Sequence, residues 1–222
     1  MAVFSSFPGA AAISLSALLL CSAAALQGQM EGSGSYQPRF EPEDRDQWQM
    51  PDSVVAALGL KEGEVVADIG AASGYFSRRF SPAVGRSGRV LAVDIDTEAL
   101  GYLAVRAHDK NLANIDTVHA APDNPHLPES RVDLIFMCNT LHHLPARVKY
   151  LAALQAALKS GGRIAVVDFF KKDLPVGPRE LAHKLSGEEA KNAFTEAGYR
   201  ITKEFKFLPY QYFFVAEPLA GK

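Results

Sequence analysis

Apolar, often β-branched residues recur along the chain in short blocks, two of them holding a single aspartate. The clearest are Val65-Val66-Ala67-Asp68-Ile69, Val90-Leu91-Ala92-Val93, Val132-Asp133-Leu134-Ile135-Phe136-Met137-Cys138 and Ile164-Ala165-Val166-Val167. Blocks of this kind suit strands buried on both faces of a parallel sheet. The intervening stretches have a helical period. Phe76 and Phe80 share one helical face, Thr97 to Lys110 follows a capping Asp96, and Ala146 to Lys159 runs up to a break at Ser160-Gly161-Gly162. Asp52 or Ser53 caps an earlier helix that Gly59 ends, and Ser186 opens a later one with Glu189 three positions on. A shorter run, Ile115 to His119, adds a strand, and two closely spaced β-like runs, Tyr199 to Leu208 and Gln211 to Ala216, close the chain. Strands alternating with helices predict an α/β domain.

The first strand turns through Gly70-Ala71-Ala72-Ser73-Gly74 into the Phe76 helix. Small residues at such a turn let a ligand approach the backbone, where helix-terminal N–H groups face it. The spacing separates the ligand classes. A dinucleotide fingerprint, G-x-G-x-x-G, counted from Gly70 needs its third glycine at position 75, which is Tyr75. A phosphate cradle needs a following Gly-Lys-Ser/Thr, which is absent. Asp94 stands at the end of the second strand, twenty positions past Gly74, where an acid accepts hydrogen bonds from both ribose hydroxyls of a nucleoside. Asp96 competes for that role, but its position fits a helix cap better.

The string Asp68-x-Gly70-x-Ala72-x-Gly74 resembles motif I of the class I S-adenosyl-L-methionine (SAM) methyltransferases, with alanine in place of the middle glycine. Asp94, then Asp123 ahead of Leu127-Pro128, then Leu158-Lys159-x-Gly161-Gly162 leading to Asp168 follow in that family's order. The resemblance spans about Val54 to Glu217 and points to the small-molecule methyltransferases that include quinone-biosynthesis enzymes. It implies a Rossmann-like α/β sandwich, a mostly parallel seven-stranded sheet with an antiparallel C-terminal hairpin. The cofactor it implies is S-adenosyl-L-methionine, held by Asp68, Gly70, Ala72, Gly74, Asp94, Asp123 and Asn139. Asp123 would meet the adenine amino group, although an Asp stabilising a Pro-rich turn reads the same way.

Asn139 to Pro145 follows the fourth strand, beside the transferred methyl in the fold it resembles. His142 and His143 are the candidates for a general base there, since imidazole titrates near neutrality; packing at the sheet edge is the structural alternative. Asp168 and His183 could join them around a divalent metal, but their spacing does not demand one, and no metal is assigned. Tyr210 and Tyr212 are candidates for the substrate cleft, Tyr212 fitting a buried strand position equally well. Trp48 suits either a lid or an N-terminal helix packed on the domain.

The 222 residues carry 23 Lys+Arg against 25 Asp+Glu, so no basic excess suggests nucleic acid. A small-molecule acceptor is the expected partner, and oligomeric state is not legible. Two cysteines, Cys21 and Cys138, make no zinc pattern. Residues 1–26 are free of charge and largely apolar and read as a signal peptide or membrane anchor, though no Lys or Arg precedes the apolar run. Residues 27–40 read as a flexible linker and 41–222 as the methyltransferase domain. Export or membrane anchoring is therefore expected, with a cytoplasmic protein as the alternative. Two other activities fit the pattern: a SAM-binding module without transfer, and a nicotinamide-dependent oxidoreductase, which Tyr75 disfavours.

Overall fold

The structure, a computed structural model, describes residues 40–144 and 146–219. The expected signal or anchor segment lies outside the described residues, as do all but the last residue of the expected linker. Among the described residues no helix is long and apolar enough to cross a membrane.

Seven strands form one sheet in the order β3-β2-β1-β4-β5-β7-β6. They are β1 (Val65–Ile69), β2 (Arg89–Asp94), β3 (Ile115–His119), β4 (Val132–Cys138), β5 (Leu158–Phe169), β6 (Tyr199–Phe205) and β7 (Gln211–Pro218). The first five pair in parallel, and β7 runs antiparallel between β5 and β6. The expected mostly parallel sheet with an antiparallel C-terminal pair is thus the observed one. The helices are α1 (Arg45–Gln49), α2 (Pro51–Leu58), α3 (Ser77–Ala83), α4 (Thr97–Asp109), α5 (Arg147–Leu154) and α6 (Gly187–Glu196).

Largely apolar strands are explained by a core on each face. Leu134 and Phe136 of β4 point to Val54 of α2, Phe76 just before α3 and Phe80 within it, while Ile135 and Met137 point to Leu151 and Phe194 of α5 and α6. Phe76, Phe80 and Phe136 pack ring against ring, with centroids 4.8 to 5.8 Å apart. That cluster fixes the helix after the first turn, and so fixes the turn itself.

Local chemistry sets most boundaries. The Asp96 carboxylate accepts the Glu98 and Ala99 amides at 3.0 and 3.1 Å, and Ser186 and Glu189 form a reciprocal capping box on α6. Gly59 ends α2 at a φ of 59°. Two expectations are corrected. Helix α2 begins at Pro51 behind a left-handed Met50, with neither Asp52 nor Ser53 capping it, because proline already presets the first helical φ. Helix α5 ends at Leu154, and Ser160-Gly161-Gly162 lies inside β5, where a register shift against β4 and a φ of 77° at Gly161 absorb the irregularity.

Chain order reverses between β1 and β4, since β2 and β3 extend the sheet one way and β5 the other. The crevice beyond the carboxyl ends of these strands is where an open α/β sheet binds its ligand.

Candidate active site

Two cavities open at that crevice. One, of about 380 Å³, is lined by Val93, Asp94, Ile95, Ala120 and Ala121, among others. The other, of about 480 Å³, is lined by Arg45, Asp68, Tyr75, Cys138, His142 and Phe169, among others. Phe40, Gly70, Ala72, Asn139 and His143 line both, so the two share a wall.

The first turn is built by backbone geometry. Gly70 has a φ of 76°, and a Cβ there would stand 2.2 Å from Thr140 Oγ1, so glycine is required twice over. Ala72 also adopts positive φ, 45°, and its N–H donates to Asp94 Oδ2 at 2.8 Å. The other Asp94 oxygen accepts from the Asp96 amide at 3.0 Å. The carboxylate is thereby oriented at the cavity edge, and each oxygen keeps lone pairs for a ligand hydroxyl. Ile95 beside it is 59% exposed, an apolar face waiting at the cavity wall.

Asp68 is buried beneath the turn and accepts the Ser77 hydroxyl at 2.6 Å. Burial, with a further push from Asp94, raises its carboxyl to about 6 despite that hydrogen bond. Across the crevice, Asn139 follows β4 at a φ of 56°. Its side-chain oxygen accepts from Gln211 Nε2 at 2.7 Å, and Gln211 in turn accepts from Gln49 at 2.6 Å. A chain of amides thus ties the site to the N-terminal helix and to β7.

His142 and His143 occupy a single turn of 3₁₀ helix, with ring centroids 4.0 Å apart. His142 Nδ1 lies 2.9 Å from both oxygens of Asp168, and the two side chains are only 4% and 2% exposed. Asp168 is itself held by the Phe169 amide at 2.8 Å. A carboxylate on one ring nitrogen fixes the tautomer and leaves the other nitrogen as the acceptor. Burial, and then the neighbouring His142, hold His143 below the ordinary imidazole range. Burial pushes the Cys138 thiol up to about 12, which leaves it protonated and unreactive.

Seven of the nine residues expected from the sequence line these cavities: Asp68, Gly70, Ala72, Asp94, Asn139, His142 and His143. Gly74 and Asp123 lie off both walls. A Cβ on Gly74 would stand 2.5 Å from Leu103, so that glycine serves the packing of α4 on the turn. Asp123 is exposed in the turn closed by the Ala121–Asn124 bridge, and Ala121 and Pro122 form the wall there. Trp48 packs on Phe169, with centroids 5.7 Å apart, and does not reach either wall. Among the described residues no cluster of three or more His, Cys, Asp or Glu is arranged to hold a metal.

The sequence reading missed Arg45, Phe40, Ile95 and Gln211. Only Ile95 carried a local signal, an apolar residue directly after the acid that ends a strand.

A seven-stranded sheet of this order, with a small-residue turn after β1 and an acid ending β2, is the Rossmann-like α/β sandwich seen in class I methyltransferases. A family profile described as "Methyltransferase domain" matches residues 66–162. The chain is similar in this region to class I SAM-dependent methyltransferases. It is 27% identical to a SAM-dependent methyltransferase from Aquifex aeolicus, with a TM-score of 0.77 over 82% of this chain and 96% of that one. It is 30% identical over 120 residues to a ubiquinone/menaquinone biosynthesis C-methyltransferase from Pseudoalteromonas translucida, covering 54% of this chain and 48% of the relative. The same-named protein of Francisella tularensis subsp. novicida is 27% identical over 70% of this chain and 61% of its own length. The chain thus spans about half to three-fifths of these curated relatives. The turn that admits only glycine at position 70, together with the oriented Asp94, fits S-adenosyl-L-methionine, the cofactor that the resemblance implies.

Proposed function

We propose that this protein transfers the SAM methyl group to a small hydroxylated ring compound whose nucleophile loses a proton during transfer. One observation carries the reading: the Asp94 cavity and the His142–Asp168 cavity share the wall formed by Gly70, Ala72 and Asn139. Asp94 takes the ribose hydroxyls and the turn backs the cofactor. Bound SAM supplies an electrophilic methyl on its sulfonium sulfur. The chain's own task is to hold the acceptor in line and keep water out, which supplies much of the acceleration in such displacements. His142, with Nδ1 committed to Asp168, accepts the acceptor's proton at Nε2. Phe169 and Pro178 offer flat apolar walls for a ring, and the quinone-pathway names of the relatives agree with that chemistry.

Calorimetry with SAM and a radiolabelled transfer assay over hydroxylated ring acceptors test the reading. Asp94→Ala is expected to weaken SAM roughly 10–100-fold, the loss of charge-assisted hydrogen bonds. His142→Ala is expected to lower kcat by about 10²–10⁴ with SAM affinity unchanged. Unchanged affinity in Asp94→Ala removes the ribose assignment. Binding without transfer across the whole panel leaves a SAM-binding module. We infer in addition that residues 1–26 direct or anchor the domain at a membrane, which mass spectrometry of the native N-terminus checks.

A further inference from the structure

We propose that Arg45 is the residue that recognises the carboxylate at the methionyl end of bound SAM. The inference rests on the cofactor lying across the two cavities as just described. With its ribose at Asp94, the rest of the cofactor crosses the wall shared at Gly70 and Ala72 into the larger cavity. That end is an amino-acid zwitterion, and it needs one cation and one acceptor. The described lining of the larger cavity offers one permanent cation, Arg45, and one buried acid, Asp68.

Arg45 is also uncommitted in a way its neighbours are not. Arg78 is paired with Glu41, and Arg79 with Asp46 at 2.9 Å. No carboxylate among the described residues lies within ion-pair distance of Arg45. Of its five N–H donors, one goes to the Phe40 carbonyl and one to Gln49 Oε1 at 3.3 Å, and the Cys138 sulfur at 3.9 Å is a weak third partner. Its Nε is buried and has no hydrogen-bond partner among the described residues. Yet the guanidinium is not adrift. It lies 3.7 Å from the centre of the Tyr75 ring, which Arg79 also contacts at 4.1 Å. A planar fork fixed on an aromatic face, with donors to spare and no anion, is prepared for a carboxylate.

S-Adenosyl-L-homocysteine and 5′-methylthioadenosine share the adenosine and the sulfur, and only the first carries the amino-acid end. Calorimetry of the full chain with each, acceptor absent, isolates that end. Arg45→Met is expected to weaken S-adenosyl-L-homocysteine roughly 10–100-fold while moving 5′-methylthioadenosine by less than about threefold. Arg45→Lys recovers part of the loss, since it keeps the charge and gives up the fork. Equal losses for both ligands would show a structural role, and no loss for either would place the carboxylate elsewhere. Each of those outcomes overturns the proposal. Wild-type protein that binds neither ligand overturns it together with the cofactor placement. Absence of methyl transfer with this binding pattern intact leaves it standing and removes only the transferase reading.

Discussion

Ala72 shows how one residue can depart from a motif without departing from its geometry. The position needs positive φ, which glycine adopts freely and alanine adopts at a cost of about 1 kcal/mol. What the site uses is the Ala72 N–H on Asp94, and a methyl group leaves that donor in place. Ala72→Gly relieves the strain but adds roughly 0.4–1 kcal/mol of unfolded-chain entropy, so the two nearly cancel. A melting temperature within about 3 °C of wild type and SAM affinity within about threefold are expected; a tenfold change in affinity would mean that the methyl itself touches ligand. Asp68 is the opposite case, a residue kept at the expense of stability. Burial raises its carboxyl from 3.8 to about 6, so the folded state disfavours the charged form. The penalty is absent below the unfolded value, grows between the two, and is complete above about 6. Asp68→Asn keeps an acceptor for Ser77 and removes the penalty. Urea unfolding at neutral pH should show a gain of about 2 kcal/mol that fades toward the acid end of that interval, together with weaker SAM binding. Equal stability at both pH values would place the charge in a better-solvated site.

At the level of elements, the helix that follows the long β5–α6 connection depends on its cap. Ser186 accepts the Glu189 amide at 3.1 Å and Glu189 accepts the Ser186 amide at 2.8 Å, while Lys171 reaches the same Glu189 carboxylate at 3.0 Å. Backbone and side-chain hydrogen bonds from Ser186, then Lys171, hold that carboxyl down at about 2. Ser186→Ala should cost about 1 kcal/mol, read as a lowered denaturation midpoint with an unchanged slope; no change would mean that Phe194 and Ala190 alone hold α6 on the sheet. Elements of this kind were legible in the sequence because their determinants are local: β-branched blocks for strands, Asp96 and Ser186 for helix starts, Gly59 for a stop. The boundary between α5 and β5 was not, because a glycine pair reads as a loop unless the register of the neighbouring strand is known. The site divides the same way. Asp94 and the turn around Gly70 follow from spacing along one βαβ unit, whereas the pairing of His142 with Asp168 joins positions 26 apart through the parallel register of β4 with β5. Arg45 lines the crevice and Gln211 supports Asn139 on its wall from positions far apart in the chain, where no local pattern marks them.

The whole molecule adds what neither residue nor element contains, an N-terminal segment closed over the crevice. Residues 40–49 are held to the first turn and α3 at successive points. Glu41 accepts the Ser73 hydroxyl at 2.7 Å and pairs with Arg78, Asp46 accepts from Tyr75 and Arg79, and Gln49 bonds Gln211 at 2.6 Å. These ties bring Phe40 and Arg45 into the cavity walls, so the segment is part of the site. Exposed ion pairs contribute little, but the Arg78 and Glu41 side chains are 8% and 14% exposed, and the Nε of Arg78 already has no partner among the described residues. Burial pushes the Glu41 carboxyl up, and hydrogen bonds from Arg78 and Ser73 with the Arg78 charge outweigh it, leaving it below 4.5. A lowered acid stabilises above its unfolded pKa, so this attachment is complete at neutral pH and is lost as pH falls through the folded value. Glu41→Gln keeps the shape and removes the charge, and should weaken the attachment by about 2 kcal/mol. Because the segment rests on the edge of an independently cored sheet, the loss should be local. Amide exchange in residues 40–49 is expected to quicken roughly 30-fold, with the protection of β1 and β4 unchanged and cofactor affinity reduced through Arg45. If the segment exchanges at the wild-type rate, the Trp48–Phe169 contact and the apolar packing of Phe40 hold it instead, and the ion pair only sets its register.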